Sequence, residues 1–388
     1  MKDVYIVEGL RTPVARRGKS LKNVSAVKLA SAVILKLLEN NKLDGGSVDE
    51  VILGNAVSAG LGQNPARQAL IRAGLPHGVP GVTVDMVCGS GVKGLIMASQ
   101  AIVSGDAGCI IAGGAESASQ CPSLFLWDEK EGKLKEDEAK SSLINDGLFC
   151  RLNGEHMVGT AERTAEKFKI SRGEQDAYAA ESHRRAGLAQ EKGYFKEEIV
   201  PIAISADRIL DADEKHAAVS LESLARMKPV LGEGGTVTPG NSPSPADGAA
   251  ALIIASGKAC KELNLVPRAR ILGYSSVGVE PALTFTGAAA AVRKCLKASS
   301  IDINDVDLFE IGESFAVQAI LTLRELALDH SKVNVFGGTI AFGHPLGASG
   351  ARGLVTLLGA LKKLEKKVGL TSICLGGGSA VSLAVEML

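Results

Sequence analysis

The chain has 388 residues, enough for roughly two or three domains' worth of core, with 46% hydrophobic side chains, only 4% aromatic ones and 45 glycines. Its 43 basic and 43 acidic residues balance, which excludes the basic footprint of a nucleic-acid binder and a long acidic tail. The seven cysteines are an odd number without framework spacing. They read as reduced thiols of a cytoplasmic protein, most of them small core hydrophobes.

The opening MKDVYIVEGLRTP lacks the apolar core of a secretory signal, and no uncharged run is long enough to span a bilayer. VYIV at Val4 to Val7 predicts the first buried strand. Ser25 is placed to cap a helix running to about Glu39. EVIL at Glu50 to Leu53 and CIIA at Cys109 to Ala112 predict further strands, with a helix following Gly91. Strand alternating with helix predicts an α/β architecture with covered sheets. From about Ala118 to Asn241 the composition turns polar, with WDEKEGKLKEDEAK and the helical pattern SRGEQDAYAAESHRRAGLAQEKG. This stretch predicts an inserted domain or lid whose charge runs are mostly solvated helix faces and loops. After about Arg268 the strand–helix rhythm returns.

A weak internal repeat accompanies that return. VTVDMV leads into CGSGVKG, a helix and CIIAGGAES; VNVFGGT leads into GHPLGASGARG, a helix and SICLGGGSA. Two such halves facing one another bring both Gly-rich loops to their interface, a usual place for a site.

Cys88 stands where a strand hands over to a helix. A helix N-terminus stabilises a thiolate through its dipole and unpaired N–H groups, and so predicts a lowered pKa. Gly89 and Gly91 leave room for a substrate carbonyl to approach. Read alone, the stretch equally describes a structural cysteine before a turn. A nucleophilic Cys needs a base. Of six histidines, His77, His183, His216 and His330 sit in polar or loop contexts. His344 lies in AFGHPLGASGARG, the repeat-equivalent loop, in a rigid frame of Pro and Gly. Cys374 ends a buried strand in SICLGGGSA, and the following Gly run suits backbone N–H groups that face a ligand. With no Cys-x-x-Cys or His-x-x-x-His spacing, a zinc site is not expected.

Cys88 in VCGSG, His344 in GHPLGASGAR and Cys374 in CLGGG together resemble the thiolases. GEHMVGTAE (154–162), GTVTPGNSPSPADGAAA (235–251) and IVEGLRTPVARRGKSL (6–21) extend the resemblance over nearly the whole chain. The resemblance implies duplicated βαβαβαββ halves in α/β/α/β/α layers with an inserted loop domain. That places the N-terminal half at 1–117, completed by 242–267, the loop domain at 118–241 and the C-terminal half at 268–388. It implies an acyl-CoA C-acetyltransferase that interconverts two acetyl-CoA with acetoacetyl-CoA and CoA. Cys88 is then the acylated nucleophile, His344 its base and Cys374 the second acid/base, with the Cys88 and Gly376 N–H groups as oxyanion hole. Leu148, His156, Met157, Ser314 and Phe315 match substrate-channel positions, and Arg226 and Lys228 the approach of the nucleotide. The implied partners are acyl-CoA and CoA, used as substrates with no bound cofactor or metal, and further copies of the chain in a dimer or tetramer. Fatty acid metabolism, without nucleic acid or membrane, is the implied setting. Thiolysis of longer 3-ketoacyl-CoAs and weakly catalytic acyl-CoA binding are the alternatives.

Several positions depart from the family. Its usual Asn-Glu-Ala-Phe is GESF here (312–315). Gly312 lacks the side chain that positions an oxyanion water, which leaves compensation to a second water or to Ser314. Asp85 replaces a frequent Asn, and Pro243 a Ser that often contacts pantetheine. Thr284 and Phe285 replace Met and Gly, with Phe285 expected to narrow the acyl pocket.

Overall fold

The computed structural model describes residues 3–129, 131–214 and 219–388, excluding the side chains of 136–138. His216 lies outside the described residues. The apolar runs form the strands of a mixed sheet. These are β1 (Val4–Arg11), β2 (Glu50–Gly54), β3 (Gly81–Val84), β4 (Cys109–Ser117), β5 (Ala246–Ser256), β6 (Ala269–Gly278), β7 (Leu308–Ile311), β8 (Val368–Leu375) and β9 (Ser379–Met387). Their spatial order is β7-β8-β9-β6-β1-β5-β4-β2-β3. The join at the centre is short: β1 and β6 pair only through Tyr5–Arg270 and Ile6–Ala269.

The two sides of that join repeat one another. In the first, β2 runs parallel to both β3 and β4, and β5 is antiparallel to β4 and β1. In the second, β7 is parallel to β8, and β9 is antiparallel to β8 and β6. VNVF, read from sequence as a strand, is only an isolated parallel bridge between Val333 and Phe309. It occupies the place that β3 holds in the first side.

Side chains alternate across each strand, so one sheet feeds two cores. Ile110 and Ala112 face the middle layer with Ile6, Ile52, Leu252 and Ile373. Cys109 and Ile111 face the other way, against Leu29, Val33 and Leu37 of α1 (Ala26–Asn41). Ser25 caps α1 by accepting the Lys28 N–H at 3.3 Å. The middle layer holds α2 (Ser90–Ser104) and, from the second half, the long helix Leu346–Lys363. Helix Gly287–Ser299 covers the far face through Ala289, Val292 and Leu296. The layers are therefore α/β/α/β/α. The segment Val87–Ser104 is long and apolar enough for a membrane span by composition alone, but most of it is buried inside the protein.

The polar middle contributes α3 (Met157–Phe168) and α4 (Arg172–Glu191), the latter opened by a capping box between Ser171 and Glu174. Arg11 ties this region to β1, since its buried guanidinium takes Asp213 at 2.7 and 2.8 Å and Glu198 at 2.6 Å. WDEKEGKLKEDEAK departs from the expectation of helix faces and loops. It belongs to a hairpin of Ser123–Asp128 against Lys133–Ser141, with Phe125, Leu126, Trp127 and Leu134 exposed. Cross-strand hydrogen bonds satisfy its backbone without requiring burial of so charged a stretch.

Candidate active site

The strand β3 stops at Val84, and the chain reaches Cys88 through a strained turn. Val87 adopts φ +47°, unusual for a β-branched residue. Two side chains hold it there. Asp85 accepts the Val87 N–H at 2.9 Å, and the Ser90 hydroxyl accepts from Met86 N at 2.8 Å while donating to Val87 O at 2.6 Å. The departure at Asp85 thus has a local use. A 3-10 turn, Val87–Gly89, then delivers Cys88 to the start of α2.

The second loop arrives differently. After the short helix Thr339–Phe342, Gly343 takes φ +102°, open to glycine and closed to most side chains. His344 N–H donates to Ser244 O at 2.8 Å, which binds this loop to the SPSP segment. The second half contributes helices α5 (Gly287–Ser299), α6 (Ala316–Leu326) and α7 (Leu346–Lys363). The N-termini of α2 and α7 meet almost without side chains between them. A methyl on Gly91 would lie 2.9 Å from Gly347 O, and one on Gly350 2.5 Å from Val92. A methyl on Gly114 would collide with Gly347 O, and one on Gly89 would lie 2.5 Å from Leu375. Gly89 and Gly91 therefore serve the contact between halves, not the access of a substrate carbonyl expected from sequence.

That contact brings the two loops' side chains together. His344 Nε2 lies 3.2 Å from Cys88 Sγ, and Nδ1 lies 2.6 Å from Ser349 Oγ. Ser349 directs its own hydroxyl proton to Pro345 O at 3.1 Å. Nδ1 is accordingly assigned the ring proton, and Nε2 presents its lone pair to the Cys88 thiol. Both residues are buried. Burial pushes the Cys88 thiol well above its usual range, reinforced by the nearby Cys374, Glu116 and Asp85 when charged. Burial, with Arg352 adding positive potential, lowers His344 to about 4. The expectation of a thiolate favoured by the helix terminus is corrected: loss of hydration outweighs the dipole, so the resting pair is neutral thiol and neutral imidazole.

Cys374 is buried at the end of β8, raised to about 11 by burial and opposed by Ser314 and its own backbone N–H. The turn after it is braced by Thr284, which donates to Leu375 O at 2.6 Å and accepts from Gly378 N at 3.2 Å. Glu116 links the halves beneath the site. Its carboxylate accepts from Ala56 N, Asn55 Nδ2 and Gly347 N at 3.0, 3.0 and 2.9 Å, and burial raises it to about 7.

A cavity of about 360 Å³ opens on Cys88 and His344. Leu148, His156, Met157, Ser314, Phe315 and Gly376 line it, as does Phe285, whose ring centroid lies 5.5 Å from that of Phe315. Cys374 lies behind Ser314, its sulfur 3.4 Å from that hydroxyl. Arg226 and Lys228 are exposed near the short helix Leu221–Ala225 and are not brought to this cavity, whereas their neighbour Val230 is. Sequence reasoning missed Arg17 and Ser242, both on the lining; the buried Ser242 hydroxyl has no hydrogen-bond partner among the described residues. It also missed Ser349, whose signal was its place in the first turn of the helix that follows the histidine. Gly312 is not an open vacancy either. A methyl there would lie 2.7 Å from Ile373 Cγ1, so the packing of β8 on this loop occupies the space.

A buried thiol paired with an oriented imidazole, a second thiol close by and an apolar cavity at the junction of two duplicated halves define an enzyme of covalent, cysteine-based group transfer. The chain matches the N-terminal domain of thiolase over residues 4–258 and the C-terminal domain over 265–387. It is 45% identical over 390 residues to the acetyl-CoA acetyltransferase of Pseudomonas aeruginosa, covering 99% of each chain. The crystal structure of the Bacillus anthracis acetyl-CoA acetyltransferase superposes with a TM-score of 0.95 at 36% identity, covering 100% of this chain and 99% of that one. A thiolase from Ascaris suum, solved in complex with coenzyme A, gives 0.93 at 38% identity and covers both chains fully. The chain belongs to the thiolase family, and is an acyltransferase of that family.

Proposed function

We propose that the protein is an acetyl-CoA C-acetyltransferase, interconverting two acetyl-CoA with acetoacetyl-CoA and CoA through S-acetyl-Cys88. The observation that carries this reading is the 3.2 Å contact between His344 Nε2 and Cys88 Sγ on the cavity wall, with Cys374 next to it. The names of the relatives support the substrate.

In the first half-reaction the Cys88 proton passes to His344 as sulfur attacks the thioester carbon. The CoA thiolate leaves with the Cys374 proton, which makes Cys374 a thiolate. In the second, Cys374 removes a methyl proton from another acetyl-CoA, and the resulting carbanion attacks the acetyl carbon on Cys88. The Cys88–carbon bond breaks, and the departing sulfur regains its proton from the His344 imidazolium. The Cys88 and Gly376 N–H groups stabilise the oxyanion of the acyl transfer. A resting neutral pair suits this sequence, since charge appears only as the thioester begins to react.

Leu148, His156, Met157, Ser314 and Phe315 form the channel for the pantetheine and acyl groups. Arg226 and Lys228 meet the nucleotide phosphates outside it. CoA enters and leaves as substrate, with no bound cofactor. The division into residues 1–117 with 242–267, 118–241 and 268–388, assembly as a homotetramer, a cytoplasmic location and a place in fatty acid metabolism complete the reading. Thiolysis assays over 3-ketoacyl-CoA chain length test it. The Phe285–Phe315 wall leads to the highest kcat/KM with acetoacetyl-CoA. A steady rise with chain length contradicts the short-chain assignment and favours degradative thiolysis.

A further inference from the structure

The GESF segment puts a hydroxyl against the second sulfur. Cys374 Sγ is fully buried, and a thiolate formed there has lost its water. Among the described residues, the side chain within hydrogen-bond reach of that sulfur is Ser314, its Oγ at 3.4 Å. The backbone that carries that hydroxyl is held in place by hydrogen bonds. Ser314 N–H donates to Gln318 Oε1 at 3.0 Å, and the buried Gln318 is itself fixed by donating to Thr322 Oγ1 at 3.1 Å. Ala316 N–H, at the start of α6, donates to Asn241 O at 3.0 Å. Position 312 is packed against Ile373 and supplies no polar side chain. Ser314 also lines the cavity that exposes Cys88, so its hydroxyl connects that cavity to Cys374.

We propose that Ser314 is a positioning residue for Cys374: its hydroxyl donates to the Cys374 thiolate and aims that sulfur at the methyl group of the second acetyl-CoA. This rests on the thiolase reading above and deepens it. Proton removal from carbon then depends on Ser314, and acetylation of Cys88, whose leaving CoA takes the Cys374 proton, slows with it. The direction of the Cys374 pKa agrees, since the Ser314 hydroxyl works against the rise that burial imposes.

The test is exchange of the acetyl-CoA methyl hydrogens for deuterium in heavy water, followed against pH for wild type, Ser314→Ala and Ser314→Thr. Removing one hydrogen bond to a charged group should slow exchange about tenfold or more and shift the rising limb of its pH profile upward in Ser314→Ala. Ser314→Thr, which keeps the hydroxyl, should retain most of the rate. Exchange in Ser314→Ala at the wild-type rate and profile overturns the proposal, and so does equal slowing in both variants. Intact mass of the same samples separates the two readings. An acetyl adduct on wild-type Cys88 with exchange indifferent to Ser314 sinks only this inference; absence of the adduct in wild type sinks the thiolase reading beneath it.

Discussion

The loops that begin α2 and α7 follow one backbone plan and do opposite work. In the first half the turn is forced: Val87 sits at φ +47° and is held by Asp85 and Ser90. In the second the turn is permitted: Gly343 takes φ +102° without a side chain to resist it. The forced turn fixes a sulfur, and the permitted one a ring that Ser349 orients from the first turn of α7. Duplication supplied two equivalent positions, and the residues around each decide whether it carries a nucleophile or a base.

The most severe break in this pairing is loss of either partner. Cys88→Ala should abolish turnover, whereas His344→Ala should lower kcat by about 10²–10⁴, the usual worth of a positioned proton acceptor. Steady-state kinetics of acetoacetyl-CoA thiolysis separates the two. Next in size is the contact that aligns the loops. Gly114→Ala drives a methyl into Gly347 O, and denaturant unfolding should report a loss of about 3 kcal/mol. An unchanged midpoint would mean the halves tolerate sliding. Ser90→Ala removes two of the three hydrogen bonds that hold the forced turn and should cost about 2 kcal/mol, with a fall in kcat as Cys88 drifts from His344. Were the turn self-supporting, neither would change.

The histidine also predicts a pH dependence. His344 is lowered to about 4 from an ordinary 6.5. The unfolded chain therefore binds more protons between those values, and stability falls as pH drops through that window. The acid limb of kcat/KM for acylation should lie near 4, with a plateau through neutrality; a limb near 6.5 would place the ring in water. The smallest expected effect is Gly312→Asn. Contact with Ile373 should destabilise by about 1–2 kcal/mol, with no gain in activity. A clear gain would mean that the loop can open to admit the amide.

Much of this was legible in the sequence because Gly-rich loops between apolar strands and helices have few other uses. Cys88, His344 and Cys374 stood out for that reason. The direction of the Cys88 pKa was not legible: a helix N-terminus is visible in sequence, but the burial that overrides it depends on the opposing half. Glu116 was equally hidden, since its partner Gly347 lies 231 residues away. The Gly89 and Gly91 positions were noticed and misread, because a glycine that admits a substrate and one that admits a neighbouring helix look the same in one dimension. VNVF has a strand's composition yet forms only a bridge, its neighbours being set by tertiary packing.

The central claim is that Cys88 is the residue acylated, with His344 taking its proton. Mixing the protein with acetyl-CoA, then measuring intact mass and mapping the modified peptide, tests this most directly. The account predicts a single acetyl group on Cys88, removed by added CoA and formed far more slowly in His344→Ala. An unmodified Cys88, or an acetyl group on Cys374 instead, would contradict it.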